Sequence, residues 1–152
     1  MKTHLQFSQV IPHLTDAEVR WLMTYVEHRH RGLDVDGAPG DFDDDGLFPN
    51  FGFQILKDDA WGQYAWFFSD KAKQGDIAQV AETVQEFIKH HRNKSSFSLT
   101  WADYAENLHP GQFDGGAIFV TAEEIKVFHA GEWVREQERS FDSPSASSLS
   151  PI

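Results

Sequence analysis

Two short aromatic runs in the middle of the chain alternate with small or polar residues. Phe51, Phe53 and Ile55 alternate with Gly52 and Gln54, and Tyr64, Trp66 and Phe68 alternate with Gln63 and Ala65. A period of two is the signature of a strand. Lys57, Asp58, Asp59 and Ala60 lie between the runs as a polar turn, so the pair reads as a β-hairpin. Its expected core set on the second strand is Tyr64, Trp66 and Phe68, with Phe67 on the opposite face. The period then changes. Ile77, Val80, Ala81, Val84, Phe87 and Ile88 recur at helical spacing from a cap at Asp76 to about His91. Gln79, Glu82, Gln85, Glu86 and Lys89 fall on the other faces of that helix.

An earlier helix has a clear start. Thr15-Asp16-Ala17-Glu18 is a capping box, and Leu14 and Val19 are placed as its hydrophobic staple. Val19, Leu22, Met23 and Val26 form the expected buried stripe. His28, Arg29, His30 and Arg31 close the helix, where positive charge suits its dipole, and Gly32 ends it. Before this helix, Phe7, Val10 and Ile11 read as a short strand or an apolar strap. After the second helix, Phe97, Leu99 and Trp101 alternate with Ser98 and Thr100 as a half-buried strand. Ala102–Leu108 reads as a short helix or an irregular crossing, and His109-Pro110-Gly111 as a turn. Gly116–Thr121 and Ile125–Ala130 pair as a hairpin around Ala122-Glu123-Glu124. Gly115 and Gly116 fit a bulge, a strained turn or a close backbone approach. Glu132–Glu138 reads as one or two helical turns.

The order α-β-β-α-β-β-β points to an α+β fold. Residues 1–139 are expected to form a single domain, a mainly antiparallel sheet of about five strands with both helices on one face. Residues 140–152 are Ser/Pro-rich and read as a flexible tail. Phe67, Ile118, Val120 and Phe128 leave the second sheet face apolar. Such a face invites a partner, either another protein or a second copy of the chain.

Composition narrows the function classes. At 152 residues, 40% of them apolar and 14% aromatic, the chain can build one real core. It has no cysteine, which excludes disulfides, thiolate metal sites and cysteine nucleophiles. No segment reaches the roughly 18 consecutive apolar residues of a membrane span. The N-terminal stretch has no apolar run of signal-peptide length. A cytoplasmic protein that does not associate with membranes is expected. The net charge of -11 includes six aspartates within 32–50 (Asp34, Asp36, Asp41, Asp43, Asp44, Asp45), a stretch without a base. No basic stripe is visible, so nucleic acid is not an expected partner.

Three stretches carry candidate chemistry. Asp41-Phe42-Asp43-Asp44-Asp45-Gly46 matches the first half of a calcium loop, with Asp41, Asp43 and Asp45 as ligands. Asp34 and Asp36 supply further oxygens if the loop folds back. The closing position, normally a glutamate, is Gly52, so any calcium site here is weak and an acidic surface loop is the simpler reading. Asp103, Tyr104, Glu106 and His109 make a possible catalytic set within Trp101–Gly116. No phosphate loop, nucleophile elbow or zinc-protease motif accompanies them. Trp61, Tyr64, Trp66, Phe68 and Trp101 suit a stacking platform or a core, and the lack of neighbouring Lys or Arg favours the core. The best-supported expectation is a non-enzymatic protein-interaction domain. The alternatives are calcium binding through 34–46 and an enzyme with its site near Trp101–Gly116.

Overall fold

A computed structural model of the chain describes residues 3–42, 47–69, 75–105 and 113–143. Seven strands and three helices follow in the order β1 (Thr3–Gln6), β2 (Ser8–Ile11), α1 (Asp16–His30), β3 (Gly52–Asp58), β4 (Gly62–Phe68), α2 (Ile77–His91), β5 (Phe97–Ala105), β6 (Phe113–Val120), β7 (Ile125–His129) and α3 (Ala130–Asp142). The α+β class and the antiparallel pairing are as expected. The strands divide into two sheets, β1-β5-β6-β7 and β2-β4-β3, instead of one sheet of about five. Among the described residues, no helix is long and apolar enough to cross a membrane.

The N-terminal segment explains the division. β1 and β2 are one extended stretch that changes sheets at Phe7. That residue is buried, and its backbone is tied to Ser69 in both directions: Phe7 N–H donates to the Ser69 hydroxyl (3.2 Å), and Ser69 N–H donates to the Phe7 carbonyl (3.1 Å). Gln9 sits where an apolar residue would continue the alternation. Its amide instead donates to the Ser98 carbonyl at 3.0 Å, tying β2 to the start of β5. This interruption disguises the pair of strands in the sequence.

The hairpin forms where the aromatic pattern places it, but the second strand is turned over. Asp58 pairs with Gly62, so only residues 59–61 form the turn. Trp61 N–H donates to the Asp58 carboxylate at 2.7 Å, and Gly62 takes a left-handed φ of 58°. Residues directly opposite share a face, so Phe53 meets Phe67 and Ile55 meets Ala65 on the core side. Phe51 and Phe67 are fully buried. Tyr64, Trp66 and Phe68 therefore lie on the outer face, which corrects the expected core set. The Trp66 and Phe68 rings stack at 4.0 Å, and the Trp66 indole donates to the Ser8 hydroxyl at 2.9 Å. Gly52 allows this, because a Cβ there would collide with the Phe68 ring.

The first helix is also rotated from its expected stripe. Glu18, Leu22, Tyr25 and Arg29 are buried, while Met23 is exposed. Trp21 stacks on Tyr25 (5.2 Å between ring centroids, 9° between planes) and reaches the rings of Phe87, His90 and His91. The C-terminal histidines of α2 thus join an aromatic seam between the helices. α2 itself buries Val80, Ala81, Val84, Phe87 and Ile88 as expected, in one cluster with the inner faces of both sheets. Gln79, expected on a polar face, is buried beside them. Its side-chain amide donates to the Leu47 carbonyl (2.7 Å) and its oxygen accepts from Asn50 N–H (2.7 Å). Two other stretches differ from expectation. β5 continues through Ala105, where a helix or crossing was expected over Ala102–Leu108; 106–108 lie outside the described residues. α3 has 13 residues, not one or two turns, and carries through Ser140 to Asp142.

One guanidinium fastens the helices to the smaller sheet. Arg92, the C-cap of α2, donates from Nε to Glu18 Oε2 (2.9 Å) and from Nη2 to Glu18 Oε1 (3.0 Å) and the His13 carbonyl (3.0 Å). It also reaches the Pro12 carbonyl at 3.3 Å. His13 takes a left-handed φ of 56°, and its N–H donates to the Trp61 carbonyl at 2.8 Å. Glu18 completes its capping box with Thr15 at the same time. Burial alone would push the Glu18 carboxyl up. The hydrogen bonds from Arg92 and from Thr15, with the attraction of the Arg92 charge, outweigh burial and hold the carboxyl below its ordinary 4.5.

Phe67→Ala should cost about 3–5 kcal/mol, while Trp66→Ala, at a half-buried outer position, should cost about half of that or less. Urea unfolding of the two variants reads the difference, and equal losses would contradict the register described above. A carboxyl depressed in the folded state stabilises fully above its unfolded value and loses that contribution as the pH falls through its folded value. Glu18→Gln should therefore cost about 1.5–3 kcal/mol at neutral pH. That cost should vanish well below pH 4.5, where wild-type Glu18 is protonated too. Unfolding curves across this acid range check the sign.

Candidate functional site

The C-terminal part of the larger sheet is where buried surface runs out. Ile118 and Val120 of β6 belong to the core. Their partners on β7, Val127 and Ile125, lie on the same face but are exposed by 52% and 37%. On the other face Phe119 and Phe128 are exposed by 43% and 47%. β7 pairs with β6 along one edge, and among the described residues no strand pairs with its other edge. α3 follows directly and has no buried residue. Trp133, Val134 and Phe141 share one arc of that helix, exposed by 52%, 46% and 82%. The Trp133 ring lies 6.5 Å from that of Phe128, so strand and helix present adjoining apolar surface.

Local chemistry gives this arm a fixed shape. The Asp114 carboxylate on β6 accepts the N–H groups of Gly115 and Gly131, each at 2.8 Å. These two hydrogen bonds, Gly115's first, hold the Asp114 carboxyl below its ordinary value and dock the start of α3 against β6. Gly116 serves a close approach. A Cβ there would collide with the Phe128 carbonyl and with the Trp101 ring, which packs against His129 with centroids 5.6 Å apart. The β6–β7 turn is closed by Thr121. Its N–H donates to the Glu124 carbonyl (2.9 Å), and its hydroxyl accepts from Glu123 N–H (3.3 Å) and Glu124 N–H (3.2 Å).

A shallow hollow of about 450 Å³ lies beside the arm, lined by Thr100, Asp114, the glycines 115 and 116, Ala117, Phe128 and Ala130. Part of its lining, Asp114, Gly115 and Gly116, belongs to the stretch Trp101–Gly116. Asp114 is its one ionisable lining group and is engaged with backbone N–H groups. Asp103 is half-buried on β5, opposite Leu5 and Asp114. Tyr104 follows on the same strand, and Glu106 and His109 lie outside the described residues. The described residues thus bring no two members of the expected catalytic set together as an acid–base pair.

The acidic connection is folded at both of its described ends. The Asp34 carboxylate accepts the N–H groups of Asp36 and Ala38 at 2.9 Å, which turns the chain back so that Leu33 bridges Pro39. Asp34 is thus committed to its own turn. The Phe42 ring lies 3.6 Å from the Arg29 guanidinium, which pairs with Glu82 at 3.5 Å. Together with Asp41, Asp76 and Gln79 these side chains surround a second hollow of about 320 Å³. Burial, and then the Glu82 charge, push the neighbouring Tyr25 hydroxyl up to about 12, so it stays protonated. Asp41 is exposed, and Asp43 and Asp45 lie outside the described residues. Among the described residues, no group of three or more His, Asp or Glu side chains is placed to hold a metal ion.

What sequence reasoning missed in α3 is Phe141 and the helix's length: Trp133 and Val134 fall in the helical turns expected over Glu132–Glu138, but the helix runs from Ala130 to Asp142. Trp133, Val134 and Phe141 do recur at helical spacing, but Gln137 interrupts the arc and hides its length. Fold and site together define a single-domain α+β protein with two antiparallel sheets and a C-terminal strand–helix arm outside the core. Comparison with known protein families, with curated proteins and with solved structures finds no match for the chain.

Proposed function

We propose that the protein is a non-enzymatic interaction domain whose docking element is the β7–α3 arm. The observation that carries this reading is the state of α3: a 13-residue helix with an apolar arc and no buried residue. Helices of about this length are marginal in water on their own and gain most of their stability by packing an amphipathic face. β7 adds an open edge and apolar side chains on both of its faces. An exposed edge of that kind is a template for pairing.

The chemistry of the arm selects a protein partner. α3 carries Glu132, Glu136, Glu138 and Asp142 against Arg135 and Arg139. An interfacial membrane helix instead concentrates Lys and Arg on its polar face. The net charge of -11 likewise disfavours nucleic acid. Calcium binding through 34–46 is the weaker reading, since no group of three or more His, Asp or Glu side chains gathers to hold a metal among the described residues. The enzyme reading is weaker because Asp114 is the one ionisable group lining the hollow beside the arm.

A photo-crosslinking residue at position 133, compared with one at position 94 on the exposed α2–β5 turn, tests the reading in extract of the source cells. Position 133 should form adducts with protein, the chain itself included, and position 94 should not. Equal labelling from both positions, or none from 133, would remove the arm as the docking element.

A further inference from the structure

We propose that β7 is covered by β7 of a second copy of this chain, joined edge to edge about a two-fold axis at Val127. The inference rests on reading the arm as the docking element and names its occupant. The pairing joins two four-stranded sheets into one antiparallel sheet. Such an interface closes on itself, because each copy offers the same patch.

Three observations favour a second copy. The first is area. At the exposures given above, Phe119 and Phe128 on the outer face, with Trp133, Val134 and Phe141 of α3, present about 500 Å². That is at the upper end of the roughly 300–600 Å² of the largest apolar patch on a typical monomer. Ile125 and Val127 add apolar surface on the opposite face of the same edge.

The second is the match of side chains along the edge. With Val127 opposite Val127, Ile125 falls opposite His129 and Lys126 opposite Phe128. Ile125, Val127 and His129 share one face of β7, and Lys126 and Phe128 share the other. Each face of one copy therefore continues the same face of its mate. A slip of one residue would lose this match by setting apolar positions against the wrong face.

The third is charge. In this register no two like charges are directly opposed. Lys126 faces Phe128 of the mate and reaches Glu124 of its own copy at 3.4 Å. The tip acids Glu123 and Glu124 fall beside residues 130 and 131 of the mate, where Asp114 already accepts Gly131 N–H and Glu132 lies in the first turn of α3, so the tip limits how far the pairing extends.

Light scattering on the full chain at about 50 µM should give twice the 17.3 kDa of one copy. Val127→Lys places two cations together at the axis and should return the mass to 17.3 kDa while the chain still unfolds in one cooperative transition, since residue 127 is half exposed. A dimer unaffected by this change would overturn the edge-to-edge pairing. A monomeric wild type would overturn self-association altogether. If position 133 still crosslinks to another protein in that case, the docking reading stands while the second copy falls. If it does not, both fall.

Discussion

Arg92 is the constraint on which the body of the fold depends. Its guanidinium meets the end of β2, the start of α1 and the end of α2 at one point, through Pro12, His13 and Glu18. The left-handed backbone at His13 costs on the order of 1–3 kcal/mol. It persists because its N–H is held by Trp61 and its carbonyl by Arg92. The Glu18 carboxylate likewise bears the cost of burial because Arg92 and Thr15 satisfy both of its oxygens. Fixing α1 and α2 in this way lets the Trp21–Tyr25–Phe87 seam close over the helices. The inner faces of both sheets then share one core. The two sheets touch at the Phe67 and Phe97 rings, 6.2 Å apart, and at the Gln9–Ser98 hydrogen bond.

That core stops at β6. α2 packs against β6, where Ile118 and Val120 are buried, and the same face becomes exposed one strand further on, at Val127 and Ile125. Asp114 then turns the chain from β7 into α3 and fixes the angle. The β7 backbone is paired with β6 and the start of α3 is held by Asp114, while the apolar side chains of the arm stay exposed. Function is inferred from that contrast between a satisfied body and an unsatisfied arm.

Much of the body was legible in the sequence. The capping box at Thr15, the stripe of α2 and the alternation from Phe97 to Trp101 each lie where local chemistry alone decides the outcome. The errors fall where distant contacts decide. The face of β4 is set by a three-residue turn, and counting one more residue in that turn exchanges Trp66 for Phe67. The face of α1 is set by Arg92 drawing Glu18 inward and by Trp21 finding the histidines of α2. Gln79 reads as a surface residue until the chain at Leu47 and Asn50 folds over it. The arm was half legible. β7 and the glycines before it are plain in the sequence, while Gln137 conceals the length of α3. Of the expected calcium ligands, Asp41 alone lies among the described residues.

The most direct measurement is amide hydrogen exchange of β7 at increasing protein concentration. The amides that bond to β6 should be protected at every concentration, because that ladder belongs to the folded chain. Those on the open edge should exchange fast when dilute and slow progressively as copies pair. Amides of the open edge that exchange equally fast at all concentrations, in a chain whose core amides remain protected, would contradict a self-pairing arm.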